Sequence, residues 1–461
     1  MLKLFNTLTR EKEAFRPLKK TVSLYNCGPT VYHDQHIGNF RTSLSVDLLK
    51  RTLLYFGYPV KHITNITDVG HLTNDADDSG EDKIEVGARR EGLTARQVAR
   101  KYEKQYKQGI KSLGIIPPFK WTRATEHIAE QIALIKKLEK KGYTYRTEDG
   151  IYFDATKFKN YGKLAGLSAM KRRPGIRVNL GEKKHATDFA LWKFAAAGTA
   201  RQMEWESPWG IGFPGWHIEC SAMAMKYLGE TIDIHCGAID LIPVHHTNEI
   251  AQSEAATGKP FVRHWMHGAF VIEGKEKMAK SVGNIKTLEW IEEQGCSPLD
   301  YRYLTLQTHY RKELRVTAEA LVAARTARAH LIAMVSSASP GGALIPEKIK
   351  KFEETLLDDL NAPRGLAVLW EVVNAPYNSA DKRATILAFD AVLGLGLKPT
   401  GRVSTKKELA IPDAVKKILG SREQSRQEKN WKRSDELRTA LHAAGFDVLD
   451  TAEGQKLKPV V

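Results

Sequence analysis

Cysteine is scarce in this chain: four residues in 461, Cys27, Cys220, Cys236 and Cys296. Thiols so few and so scattered exclude a disulfide framework. They fit a reducing compartment, where sulfur stays free or binds metal. No stretch approaches the roughly 18 apolar residues that read as a membrane span. Residues 1–10 hold no long apolar run and no cleavage-like site. A cytoplasmic protein with no membrane segment is therefore expected. Internal repeats and low-complexity tracts are missing too, which argues against solenoids and arrays.

Acidic side chains are also in short supply, 54 against 70 lysines and arginines, for a net charge of +16. That excess suits a polyanionic partner such as RNA, although a generally basic soluble enzyme would look the same. Hydrophobic residues at 42% and charged residues at 27% are ordinary for a globular protein with a sizeable core. The length suggests roughly three or four domains.

Thr21 to Tyr25 reads as a strand, followed by Gly28 and Pro29, then His36-Ile37-Gly38-Asn39, then a helical pattern through Leu48, Leu49, Leu53 and Leu54. Val60 to Ile66 reads as a second strand, and Leu93 to Ile115 as a polar-faced helix. Such alternation favours an α/β class with a parallel sheet. From Tyr143 to Gly181 short strand-like pieces alternate with basic segments, as in an insertion; the α/β texture returns from Trp216 to Ile285. Helices are expected over Thr317 to Val335, Ile345 to Val373 and Ala380 to Leu395. Pro399 to Lys407 reads as a linker to a last small unit; residues 401–461 hold 13 basic and 9 acidic side chains.

Two short motifs suit phosphate. His36 to Asn39 lies between a strand and a helix start, where unpaired N–H groups and the helix dipole attract anions. Gly38 lets a nucleotide approach the backbone, and His36 and Asn39 at i and i+3 can face one ligand. Lys277-Met278-Ala279-Lys280-Ser281, some 240 positions later, places two lysines in a glycine-flanked turn. Such a loop can follow charge onto a leaving pyrophosphate. Each motif alone is weak: a loop histidine or a charged turn is usually just solvated. Their order and spacing carry the weight.

Together they resemble the His-Ile-Gly-His and Lys-Met-Ser-Lys-Ser signatures of class I aminoacyl-tRNA synthetases, with Asn39 and Ala279 as departures. Tyr25-Asn26-Cys27-Gly28-Pro29-Thr30, Gly215 to Ser221, Asp233-Ile234-His235, Pro243 to Ser253 and Asp188 to Lys193 narrow the resemblance to the cysteinyl branch, along nearly the whole chain. The resemblance implies a Rossmann-like catalytic domain over 1–285 with an insertion at about 120–210. It implies a region contacting the tRNA stem over 286–340, a helical anticodon-binding bundle over 341–400 and a small basic tRNA-binding unit over 401–461.

It also implies one Zn²⁺ in the amino-acid pocket, with Cys27, Cys220, His245 and Glu249 as ligands. His245 and Glu249 at i and i+4 share a helix face, and all four residue types are ordinary zinc ligands. Cys236 and His246 are expected spectators. His36, Asn39, Lys277 and Lys280 are the implied catalytic groups. Gly38, Gly237, Asp240 and Lys280 would bind ATP with Mg²⁺, and Trp216 and Thr67 the amino acid, with Asp68 a weaker candidate. A buried structural aspartate or a core tryptophan remains the plain alternative at Asp240 and Trp216. Phe213 stands where the resemblance leads one to expect arginine; any role of that arginine must fall to another residue.

The implied reaction joins L-cysteine to tRNA(Cys) at the expense of ATP, by a monomer. A mycothiol-pathway cysteine ligase would share the catalytic core, but a sugar acceptor needs neither bundle nor basic tail. A non-catalytic RNA-binding relative would not need both lysines and all four ligands. In the tail, Trp431, Leu437 and Leu441 are spaced for one helix face and read as core, while Arg422, Arg426, Lys429, Lys432 and Arg433, where exposed, can meet RNA phosphate.

Overall fold

The computed structural model describes residues 1–70, 72–74, 79–166, 183–195, 201–273, 276–277, 286–398, 413–443, 446–451 and 454–459. Contacts divide the chain into two compact units, Met1–Lys398 and Pro399–Val461.

Along unit 1, a hairpin of β1 (Lys3–Asn6) and β2 (Glu11–Ala14) precedes β3 (Val22–Asn26), α1 (Ile37–Tyr55) and β4 (Val60–Ile66). A short ladder, β5 (Leu72–Asn74) with β6 (Ser79–Asp82), leads into α2 (Lys83–Glu91), α3 (Ala95–Ser112), β7 (Lys120–Arg123) and α4 (Ile128–Lys140). An antiparallel sheet follows, β8 (Thr144–Arg146), β9 (Gly150–Phe153), β10 (Phe189–Phe194) and β11 (Gly212–Pro214). Then come α5 (Trp216–Leu228), β12 (Ile232–Ala238), α6 (Thr247–Thr257) and β13 (Val262–Gly268). A small sheet of β14 (Val271–Glu273), β15 (Glu276–Lys277) and β16 (Leu314–Arg315) encloses α7 (Leu288–Glu293) and α8 (Pro298–Leu306) in sequence. Four helices close the unit: α9 (Ala318–Ser337), α10 (Pro346–Leu357), α11 (Ala362–Asn374) and α12 (Ser379–Leu393).

The central sheet runs β13-β12-β3-β4-β7, and every pairing in it is parallel. Parallel strands need crossover helices on both faces, so both faces are dry. The sequence obeys: Val22, Leu24 and Tyr25 of β3 and Ile232 and Ile234 of β12 are all fully buried. The chain leaves β3 toward β4 on one side and returns to β12 on the other. That reversal opens a crevice at the carboxyl ends of β3 and β12, where ligands of such sheets sit. Cys27 directly follows β3, and Gly237 and Asp240 stand at and just past the end of β12.

One long helix expected over Ile345 to Val373 is two. Asn361 accepts from Arg364 N and caps α11, and Pro363 in the first turn cannot continue a preceding helix. Between the helices, Asp359 and Leu360 adopt positive φ. Asp359 is held there by its buried carboxylate, which accepts from Phe5 N at 2.9 Å, Tyr310 Oη at 2.7 Å and Arg311 Nε at 2.8 Å.

Unit 2 consists of α13 (Asp413–Gln427), α14 (Trp431–Ala443) and the antiparallel pair β17 (Phe446–Thr451) and β18 (Gly454–Pro459). Val415, Leu441 and Val448 form its core.

Candidate active site and metal centre

Helix α1 starts at a reciprocal cap. The His36 ring accepts from Asn39 N at 3.3 Å, and Asn39 Oδ1 accepts from His36 N at 3.2 Å. Two otherwise orphaned donors are thereby satisfied. Asparagine at the fourth position of the motif thus closes the turn by itself. A Cβ on Gly38 would lie 2.8 Å from His36 Nδ1, so glycine is what lets the ring fold back over the helix start.

These residues line a cavity of about 390 Å³ at the crevice, together with Cys27, Thr67, Trp216, Cys220, Asp240 and His245. The Trp216 ring lies against His245, centroids 4.4 Å apart. Thr67 hydrogen-bonds through its backbone to Pro29 and Val31, bracing the loop that carries Cys27. Its hydroxyl accepts from Asn65 Nδ2 at 3.0 Å and donates to Glu219 Oε2 at 3.1 Å. Both oxygens of Asp68 accept from Thr125, so that carboxylate is committed to the fold. A Cβ on Gly237 would meet the His246 ring at 2.5 Å. Of the two signature lysines, Lys277 is described only in its backbone, in β15, and Lys280 with Ala279 lies outside the described residues.

Ligand atoms of Cys27, Cys220, His245 and Glu249 all lie within 4.8 Å of one another. The two sulfurs are 4.0 Å apart, Cys27 Sγ is 3.8 Å from Glu249 Oε1, and His245 Nε2 is 3.2 Å from that same oxygen. Tetrahedral zinc with bonds of about 2.0–2.3 Å brings its donors to about 3.3–3.8 Å apart, so this set fits with little movement. Soft sulfur, imidazole and carboxylate is also a zinc-type donor set. A second quartet, Cys27, His235, His246 and Glu249, meets the same criterion. His246, expected as a spectator, stands 3.3 Å from Cys27 Sγ through Nε2. Its other nitrogen meets His267 at 2.7 Å, and His267 meets Thr7 at 2.8 Å.

The electrostatics suit a cation. Burial opposes charge on Glu249, but His235 and His245 outweigh it and hold the carboxyl down to about 2. Burial likewise opposes charge on His245, yet Glu249 and Cys220 push it up to about 10. Burial and the neighbouring Cys220 and Glu249 push the Cys27 thiol well up. His246 is held well below its ordinary value by burial and the surrounding imidazoles, and stays neutral. His235 Nε2 meets Glu249 Oε2 at 3.1 Å and orients that carboxylate.

Sequence reasoning gave no role to His235, His267, Glu219 or Lys83. A signal existed for the first: Asp233, His235 and Gly237 alternate along β12, so they share a face with a residue already singled out.

In unit 2, Leu437 and Leu441 are buried as expected, but Trp431 is 57% exposed, because it opens α14 rather than packing along it. The Arg426 guanidinium lies 5.7 Å from its ring centroid. Arg422 is not available to phosphate: it is buried and paired with Asp450 at 2.9 Å.

Residues 14–326 match the family described as tRNA synthetases class I (C) catalytic domain, and residues 409–456 match the cysteinyl-tRNA ligase anticodon binding domain. A cysteine–tRNA ligase of Burkholderia lata is 48% identical over 99% of this chain and 96% of its own length. Another, of Borrelia garinii subsp. bavariensis, is 40% identical over 99% of both. The chain belongs to the cysteine–tRNA ligase family. Among solved structures, the methionyl-tRNA synthetase of Mycobacterium tuberculosis in complex with methionyl-adenylate aligns with a TM-score of 0.54 over 82% of this chain and 90% of that one. At 13% identity it shares the fold alone. The α/β architecture is thus that of class I synthetases. The cysteine–tRNA ligase family places its catalytic match on unit 1 and its anticodon-domain match within unit 2.

Proposed function

We propose that this chain activates L-cysteine with ATP and transfers it to the 3′ end of tRNA(Cys). A cysteine carboxylate oxygen attacks the α-phosphorus; the new P–O bond forms as the bond to pyrophosphate breaks, giving cysteinyl-adenylate. A terminal ribose hydroxyl of the tRNA then attacks the acyl carbon, loses its proton, and AMP leaves with the carboxyl-derived oxygen. No side chain becomes covalently attached. Positioning and charge stabilisation supply the rate.

The observation that carries this reading is the donor quartet of Cys27, Cys220, His245 and Glu249, the first three of which line one cavity with the His36–Asn39 cap. These four residues would hold Zn²⁺, which offers a soft Lewis-acid contact that suits a thiolate and not a serine hydroxyl. Discrimination by a missing partner far exceeds the ~1–3 kcal/mol that one methylene is worth in an apolar pocket. Trp216 walls the amino acid against His245, and Thr67 lines the pocket in which it rests. Gly38 and the α1 start receive ATP phosphates with their Mg²⁺, Gly237 and Asp240 meet the adenosine ribose, and Lys277 and Lys280 meet the charge growing on pyrophosphate. The bundle of α10–α12 and the basic unit 2 engage the tRNA, with residues 286–340 at its stem. The enzyme works as a cytoplasmic monomer.

Cysteine-dependent ATP–pyrophosphate exchange on protein of measured metal content tests this. One zinc per chain, exchange with cysteine, none with serine, and loss of both zinc and exchange in Cys220→Ala are expected. Folded, zinc-free protein with full exchange would overturn the reading.

A further inference from the structure

Phe213 is the middle residue of β11, three residues before Trp216 opens α5. The Arg201 guanidinium lies over the Phe213 ring, 3.4 Å from the centroid. Arginine is delocalised and weakly hydrated, so it stacks on an aromatic face and still uses its edge for hydrogen bonds. That edge donates to Gly70 O at 2.9 Å and to the Asp82 carboxylate, which is almost fully buried. Asp82 is the N-cap of α2: its other oxygen accepts from Ile84 N at 2.8 Å and Glu85 N at 3.1 Å. Gly70 is required beneath it, since a Cβ there would stand 1.8 Å from Asp82 Oδ1. The next residue, Gln202, ties down the same helix, its N–H donating to Glu85 Oε1 at 2.8 Å. Arg201 and Gln202 therefore form a strap that sets where α2 begins.

What α2 begins with is Lys83, whose ammonium lies 5.6 Å over the Trp216 ring. The same ring touches His245 of the donor quartet. Among the described residues lining the cavity, Lys83 is the one lysine or arginine. An amino acid held by its thiol at the quartet extends along Trp216 and brings a carboxylate into the cavity that Lys83 lines. A carboxylate leaving water needs a cationic partner.

We propose that Lys83 binds the carboxylate of the amino-acid substrate, and that Arg201, seated on Phe213 and clamping Asp82, is the positioning residue that places it. The inference rests on the proposed function, since it takes the thiol to be held at the quartet. It also assigns the arginine that position 213 lacks. A guanidinium reaches Asp82 from residue 201, and Phe213 serves as its platform.

The test uses the full chain and two ligands, L-cysteine and cysteamine, which keeps the thiol and the amine but has no carboxylate. Dissociation constants are read from tryptophan fluorescence for wild type, Lys83→Ala, Lys83→Arg, Arg201→Ala and Arg201→Ala/Phe213→Arg. Melting temperature and zinc content are checked for each. Lys83→Ala is expected to weaken L-cysteine about ten- to a hundredfold, the usual cost of a lost charged hydrogen bond, and to leave cysteamine unchanged. Lys83→Arg recovers part of that loss. Arg201→Ala shifts the cysteine-to-cysteamine ratio the same way by a smaller factor, and Phe213→Arg in that background restores it. Equal weakening of both ligands by Lys83→Ala, or none, would overturn the proposal, as would a double variant no better than Arg201→Ala. Failure of the functional reading shows separately, as wild-type protein without cysteine-dependent exchange.

Discussion

Acidification should loosen the strand that delivers Cys27, and His62 is the reason. This residue sits in the middle of β4, fully buried, and Asn26 at the end of β3 receives its Nε2–H at 2.6 Å. Thr64 Oγ1 donates to the same Asn26 oxygen at 2.6 Å, while Asn26 Nδ2 donates to Cys27 O at 3.0 Å. His62 Nδ1 has no partner, so a second proton there would be buried without an acceptor. Burial first, and the Lys50 ammonium second, lower the imidazole from its ordinary 6.5 to about 3. The folded-state value is depressed for a base, so the unfolded chain binds the proton more readily. Stability is fully present above pH 6.5 and is lost as pH falls from 6.5 toward 3. Between pH 7 and pH 5 this one group costs about 2 kcal/mol. Urea unfolding followed by tryptophan fluorescence at both pH values, in wild type and in His62→Gln, isolates it, because the other histidines cancel in the double difference. The wild type should lose about 2 kcal/mol more than the variant over that interval. Equal losses would refute the reasoning, and so would a variant that is the more acid-labile of the two.

Two further outcomes follow from local geometry. Gly38→Ala should leave helix stability nearly unchanged, since the ~1 kcal/mol that alanine gains as the better helix former is offset by loss of the His36 cap. The new Cβ must displace the His36 ring, so kcat/KM for ATP in pyrophosphate exchange should fall by an order of magnitude or more; unchanged exchange would remove His36 from the phosphate site. Trp431→Ala should raise KM for tRNA about tenfold, the worth of one stacked base, with exchange untouched; an unchanged KM would mean that the exposed ring meets no base.

The parallel sheet was legible because both faces are dry, so β3 and β4 read as short strands on either side of a helical pattern. The α1 start was legible for a local reason: cap, glycine and asparagine are neighbours in sequence, and their geometry is settled within one turn. The donor quartet was not legible from the residues themselves. Cys27, Cys220, His245 and Glu249 span more than 220 positions, and only the way the strands are ordered brings the end of β3 against α5 and α6. Resemblance supplied what spacing could not. The break between α10 and α11 was missed because the apolar period runs through it, while the deciding contact, Asp359 to Phe5, is 354 positions long. Trp431 was misread because a face-wise spacing does not say where a helix begins. The Arg201 strap had no local signal at all, since stacking on Phe213 and pairing with Asp82 join three separate segments.

The surroundings of the quartet say why the fold spends so many histidines there. Glu249 is fully buried and fully committed to charge, which is costly in a dry interior unless the oxygens are met by donors. His245 meets Oε1 and His235 meets Oε2, each from a different element, so the carboxylate is fixed before any ligand arrives. With His245 pushed up to about 10, that imidazole carries the proton that balances Glu249, and a divalent ion bound through the same nitrogen has to displace it. The neighbouring His246 and His267 are held below their ordinary value by burial first and by His235 second, which adds ring surface without adding charge. The site is thus preorganised in shape, and binding a dication there is coupled to release of protons from His245 and the thiols.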